Sequence, residues 1–256
     1  MDKQMEQRFW EIDFLRGLAI IMMVVFHLLY DLTYFGGHNL NIHSGFWLYF
    51  GRATATIFIF LVGVSLTLSF SRSWKTQNSG QKLYMKYLKR GSKIFSWGLI
   101  ITLATWIFLR DGFVLFGILH LIGTSIILAY PFLKLRYLNL LLGIAIISLG
   151  IHLKNFTFDF HWLVWLGFIP DHFYTVDYFP IIPWFGVVLI GVFAGNLLYP
   201  NYTPKFNLGD QSNFRFIGLF CLLGKHSLAI YLIHQPILII SLYLLGIVGV
   251  MGIDIY

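Results

Sequence analysis

Three histidines, His27, His120 and His234, each sit inside a separate apolar run of the chain. A charged side chain in hydrocarbon costs about 2.5–3.5 kcal/mol on insertion scales, so ionisable residues there mark functional sites by default. A neutral imidazole is the cheapest titratable group to keep in such a place, and it can take a proton from an incoming hydroxyl or amine or carry a transient group. Arg16 and His27 are 11 residues apart, which on a helix is about three turns plus ~20°, so they share a face roughly 16 Å apart. Asp31 follows His27 at i+4, where a carboxylate could accept the imidazole N–H, fix its tautomer and raise its basicity. Asp13 stands three residues before Arg16. The same two pairs also read as self-neutralised charges made tolerable inside a helix bundle.

His120 lies in Phe116-Gly117-Ile118-Leu119-His120-Leu121-Ile122-Gly123, where two glycines permit close helix approach. It reads either as lining a substrate path or as a buried histidine bonded to a neighbouring helix. His234 ends the stretch Gly224-Lys225-His226-Ser227-Leu228-Ala229-Ile230-Tyr231-Leu232-Ile233-His234-Gln235-Pro236. Ser227 is an expected helix cap, and Pro236 is expected to kink the helix and free a backbone carbonyl beside His234. A kink there implies a cavity, with Tyr231 and His234 as candidate substrate contacts. His38 and His43 flank Asn39 and Asn41 after the first apolar run. The segment from Asn155 to Trp184 is crowded with rings, among them Trp162, Tyr178 and Trp184, beside Asp159, Asp171 and Asp177. Rings and carboxylates suit a sugar or amphipathic acceptor, with Trp184 and Asp177 as candidate contacts, and they equally suit an aromatic belt at headgroup level.

These residues must be positioned by membrane helices. Of the 256 residues, 58% are hydrophobic and only 11% charged, against roughly 25% charged in a soluble domain, which excludes a water-soluble globule. A single cysteine, Cys221, allows no internal disulfide and no multi-cysteine metal cluster. Apolar runs cover 12–35, 46–70, 94–109, 113–133, 137–151, 178–198 and 228–248; 162–169 and 214–223 are too short to cross. The expected fold is therefore all-α, a polytopic transmembrane helix bundle of about seven spans plus short interfacial or re-entrant helices, in a single integral-membrane domain over 1–256. The first run is too long and too polar for a signal peptide, although a polar start with Asp2, Lys3 and Glu6 precedes it. Arg72, Lys75, Lys82, Lys86, Lys89, Arg90 and Lys93 lie in a stretch without an acid. Outside it, eleven bases face eleven acids, so the net charge of +7 belongs to this one loop. Lys and Arg are retained on the cytoplasmic side, which places the N-terminus inside. Contact with anionic lipid heads, or with a phosphate-bearing ligand, accounts for the same cluster.

The residues Asp13-Phe14-Leu15-Arg16-Gly17, then His27, then Phe58-Ile59-Phe60-Leu61-Val62-Gly63 resemble the opening of the transmembrane acyltransferase superfamily, in particular the heparan-α-glucosaminide N-acetyltransferase catalytic domain in its small prokaryotic form. The 117–123 segment, Pro180-Ile181-Ile182-Pro183-Trp184-Phe185-Gly186 and the 224–236 stretch fall in that family's order, so the likeness runs from about residue 8 to about residue 240. The resemblance implies transfer of an acyl group, typically acetyl, from cytoplasmic acyl-CoA to a hydroxyl or amine on the far side of the membrane, with a histidine as general base or transient acyl carrier. Larger lysosomal relatives use an outer histidine after the first span and an asparagine at the depth of His27. This chain departs from them in having His27 there and both His38 and His43 outside, which leaves open which histidine does the chemistry. It is also shorter, so a homodimer could complete the cavity. The likeness to the small prokaryotic form implies a prokaryotic plasma membrane as the location.

With that chemistry, His27 is the expected base and Asp31 its orienter, while His43 and His38 are the outer candidates. Asp13, Arg16, His120 and His234 line the path, and Arg16, Lys89, Arg90 and Lys225 are cations for the CoA phosphates. The expected partners are the lipid bilayer, acetyl-CoA or another acyl-CoA as co-substrate, and a carbohydrate or amphipathic acceptor; no metal and no nucleic acid are expected. Two rival classes remain at this point. A b-type haem protein would use histidines of different spans as axial ligands, and a transporter or flippase would use His and Asp as a proton relay.

Overall fold

The computed structural model describes residues 8–38, 40–76 and 80–247. Asp2, Lys3, Glu6, Asn39 and Val248 lie outside the described residues. Among those described the chain forms eight α-helices and no strand: α1 (Trp10–Tyr34), α2 (Gly45–Thr76), α3 (Gly80–Leu109), α4 (Ile118–Leu128), α5 (Tyr137–Leu153), α6 (Ile181–Leu198), α7 (Arg215–Lys225) and α8 (Ser227–Leu244). Five of them, α1, α2, α3, α6 and α8, are long and apolar enough to cross a membrane, whereas α4 and α5 are shorter apolar helices. The expected run over 113–133 yields only the 11 residues of α4, about 17 Å of helix. Its first part is instead extended, with Phe179 N–H donating to the Phe116 carbonyl at 2.9 Å and Val176 N–H to the Gly112 carbonyl at 2.9 Å.

The polarity of the bundle is that of a membrane protein. Leu99, Ile100, Leu103, Trp106, Ile107 and Phe108 of α3 and Ile233, Ile237, Ile240 and Leu244 of α8 are exposed, while Asp13, Asp31, His120 and His234 are buried. Large exposed aliphatic and aromatic faces are stable only against acyl chains. The chain is a polytopic helical membrane protein.

The described part of the basic stretch, 72–76 and 80–93, is helical and not a loop. α2 has 32 residues and α3 has 30, each about 45–48 Å long against a hydrocarbon thickness of about 30 Å. The excess turns carry Arg72, Lys82, Lys86, Lys89 and Arg90 on helix rather than on irregular chain. Lys and Arg are good helix formers, and their long stems let the charge leave the apolar layer. Lys86 Nζ donates to Ser73 Oγ at 2.6 Å, tying α3 to α2 at this end.

Contacts divide the chain into two compact units, one built from Ile59–Asn207 and the other from the described residues of Asp2–Phe58 and Leu208–Tyr256. In the first, helices approach through glycines. A Cβ on Gly63 would collide with the Val188 carbonyl, and one on Gly191 with the Phe60 carbonyl. In the second, α1 and α7 meet at Gly17 and Gly224, where added Cβ atoms would collide with the Phe220 and Asp13 carbonyls. Without a hydrophobic drive between helices in lipid, such backbone proximity supplies the dispersion contact that holds them. Cys221 Sγ is buried in this contact and donates to the Trp10 carbonyl at 3.3 Å. Gly17→Val is expected to cost roughly 1–3 kcal/mol by overpacking, so a fluorescent maleimide should label Cys221 in detergent at a temperature several degrees lower than in the parent. An unchanged labelling midpoint would remove the close α1–α7 contact.

Candidate functional site

The second unit gathers the polar residues of α1 and α8. The His27 and His234 rings meet edge to face with centroids 4.8 Å apart and planes at 76°, a favourable aromatic geometry. His27 Nδ1 lies 2.9 Å from the Met23 carbonyl oxygen, and His234 Nδ1 lies 2.6 Å from that of Tyr231. A carbonyl only accepts, so each Nδ1 carries the proton and each Nε2 keeps its lone pair. The helix backbone has thereby set both imidazoles as Nε2 bases. His234 is 8% exposed, and its Nε2 is buried without a hydrogen-bond partner. The Tyr231 ring stands 5.6 Å from that of His234.

Asp31 is fully buried, yet its hydrogen bond does not go to His27. Its Oδ1 accepts from Gln235 Nε2 at 2.5 Å. Helical side chains lean toward the helix N-terminus, which carries the His27 imidazole back over the Met23 turn and away from residue 31. The orienting role that the i+4 spacing suggests for Asp31 falls instead to the Met23 carbonyl. Asp31 Oδ2 and Gln235 Oε1 are buried without partners. Gln235 is the residue that the spacing argument passes over. The signal for it was an amide in an apolar run directly after His234, since a carboxamide in hydrocarbon needs a partner on another helix.

At the other end of α1, Arg16 donates to Asp13 Oδ1 at 2.8 Å, the pair expected from their i+3 spacing. Lys225 ends α7 and is exposed. Ser227 is the first residue of α8 and makes no capping bond, and the helix runs through Pro236 to Leu244. His38 and His43 are exposed after α1, His43 standing edge-on to Tyr30 at 6.5 Å. No hydrogen bond or ring contact joins either of them to the His27–His234 pair.

The remaining candidates belong to the first unit. Lys89 and Arg90 lie exposed on α3. His120 is 2% exposed, and both of its nitrogens serve the scaffold. Nδ1 accepts from the Gly117 N–H at 3.2 Å, and Nε2 faces Thr102 Oγ1 at 3.4 Å, which itself donates to the Val114 carbonyl at 2.7 Å. Gly98 makes room for the ring, since a Cβ there would lie 3.0 Å from it. These contacts tie α4 to its surroundings through a buried histidine. Trp184 packs on Phe179 with centroids 5.0 Å apart. Asp177 Oδ2 accepts from Ile118 N–H at 3.2 Å, which puts a carboxylate on the N-terminus of α4. Among the described residues no group of three or more His, Cys, Asp or Glu could hold a metal ion.

Fold and site together define a polytopic membrane protein with a buried two-histidine centre. Residues 8–236 match the family model for the heparan-alpha-glucosaminide N-acetyltransferase catalytic domain, and the chain belongs to that family of membrane acetyltransferases. The match spans α1 to Pro236 and so contains His27, Asp31, His234 and Gln235. Comparison with curated proteins and with solved structures gives no significant match.

Desolvation pushes the Asp177 carboxyl up from 3.8 to about 6, partly offset by the Ile118 N–H. A raised folded-state value means that the folded chain holds the proton longer than the unfolded chain. The stabilisation is full below about pH 4 and is lost as pH rises through about 6. Asp177→Asn, which mimics the protonated acid, should therefore keep its thermal stability across the window from pH 4 to 6 in which the parent's declines. Parallel melting profiles in detergent across that window would refute the assignment.

Proposed function

We propose that the whole chain works as a single acyltransferase domain that moves an acyl group, acetyl by family, from cytoplasmic acyl-CoA to a hydroxyl or amine of a sugar-like acceptor at the outer face. The observation that carries this reading is the His27–His234 pair, two imidazoles in contact within the family-matched helices, with both Nδ1 atoms tied to backbone and both Nε2 atoms left as bases. Acyl transfer from a thioester needs little more from the protein than a base at the nucleophile and cations for the donor's phosphates. In this reading His27 Nε2 takes the proton from the acceptor as its nitrogen or oxygen attacks the thioester carbonyl. The C–S bond breaks, and the departing CoA thiolate takes that proton.

The acid-free run of basic residues on α2 and α3 supports a cytoplasmic N-terminus, and we place the chain in a prokaryotic plasma membrane by its likeness to the small prokaryotic form of the family. In this reading Arg16, Lys89, Arg90 and Lys225 are the cations for the CoA phosphates, and His38 and His43, past the end of α1 away from Arg16, are the candidates on the acceptor side. Rings in direct contact leave no space for a macrocycle between them, which disfavours haem ligation by His27 and His234.

His27→Ala should lower transfer of radiolabelled acetyl from acetyl-CoA by about 10²–10⁴-fold, with Cys221 still protected from maleimide as a sign that the fold persists. Full activity in His27→Ala together with loss in His43→Ala or His38→Ala would move the base to the outer face. Lys89→Ala and Arg90→Ala should each raise the KM for acetyl-CoA by about tenfold at unchanged kcat, because a phosphate contact is held equally in ground and transition states. An unchanged KM in both would free α3 of any role in CoA binding.

A further inference from the structure

We infer that Gln235 is a positioning residue: its hydrogen bond to Asp31 is a latch between α8 and α1 that holds the His27 and His234 rings in register. The inference rests on the acyltransferase reading only for its kinetic arm. Each Nδ1 bond to a carbonyl lies within its own helix, from His27 to Met23 on α1 and from His234 to Tyr231 on α8. Those bonds set the tautomer of each ring, but they say nothing about the separation of the two rings. That separation depends on what joins α1 to α8 at this level, and the polar link found there is the 2.5 Å bond from Gln235 Nε2 to Asp31 Oδ1. Gln235 adjoins His234 in sequence, and Asp31 lies one turn beyond His27, so the latch acts within a turn of both rings.

The bond is well placed to dominate. Asp31 is fully buried and Gln235 is partly so. In hydrocarbon neither carboxyl nor amide has water to fall back on, so breaking the bond leaves both unsatisfied. Pro236 follows immediately and removes the N–H that would have met the Leu232 carbonyl, which leaves α8 locally less tied to itself. A helix softened at the active level needs an external anchor, and Gln235 supplies one. The latch uses one oxygen of Asp31 and leaves Oδ2 bare and buried, as it does Gln235 Oε1. Those lone pairs remain for an N–H or O–H on an incoming molecule.

The test uses the full chain in detergent or lipid, with ¹³C,¹⁵N-histidine labelling and solid-state NMR. In the parent, the His27 and His234 imidazoles, assigned by loss of their signals in single variants, should give an inter-ring cross-peak. Gln235→Leu should abolish that cross-peak and lower kcat about 100-fold, the cost of a misplacement near 1 Å, while KM for acetyl-CoA stays within about threefold. The swapped variant Asp31→Gln with Gln235→Asp places the donor on α1 and the acceptor on α8, and it should restore the cross-peak. If Gln235→Leu exposes Cys221 to maleimide, Gln235→Met carries the same test, because it keeps the length of the side chain and removes the donor. A cross-peak that persists in these variants overturns the latch, whatever the activity. A cross-peak lost and restored in a chain whose parent transfers no acetyl upholds the latch and sinks the acyltransferase reading alone.

Discussion

In hydrocarbon a polar group has no solvent to pair with, and this chain keeps a carboxyl, an amide and two imidazoles there. Everything about the α1–α8 contact follows from that constraint. The helix backbone accepts from the Nδ1–H of each histidine, Gln235 donates to one oxygen of Asp31, and what the protein does not pair is left as a set of buried lone pairs. A purely structural polar cluster would close on itself. This one leaves Asp31 Oδ2, Gln235 Oε1 and His234 Nε2 without partners.

His120 shows the opposite outcome from the same constraint. It is as buried as His234, but Gly117 and Thr102 occupy both of its nitrogens, and Gly98 gives the ring its space. One histidine closes a helix start, whereas the other pair keeps its reactive atoms bare. The difference lies in the neighbours of the rings and not in residue type, since each is a histidine in an apolar run.

Glycine does for the scaffold what the polar bonds do for the site. Lipid offers no hydrophobic drive between helices, so α1 and α7 are held by backbone proximity at Gly17 and Gly224, and α2 and α6 by Gly63 and Gly191. The charges obey the same economy of placement. Basic residues occupy the helical overhangs of α2 and α3, where long stems reach water, and on α1 Arg16 pairs with Asp13 within a turn.

The all-helical membrane architecture and the family were legible in the chain itself, because hydropathy run length and motif order are properties of local sequence. So was the Asp13–Arg16 pair, whose partners are three residues apart on one helix. The helical nature of the basic stretch was hidden, since exposed Lys and Arg fit a helix end and a loop equally. Shortening of the 113–133 run to α4 was hidden too, because its cause is backbone pairing with residues some 60 positions away. Only tertiary structure could decide that Asp31 turns to Gln235 and not to His27, and that His27 meets His234 while His120 does not. Spacing along one helix reports which side chains share a face. Which face of another helix stands opposite depends on how the bundle packs, and it is there that the lone pairs of this site were assigned.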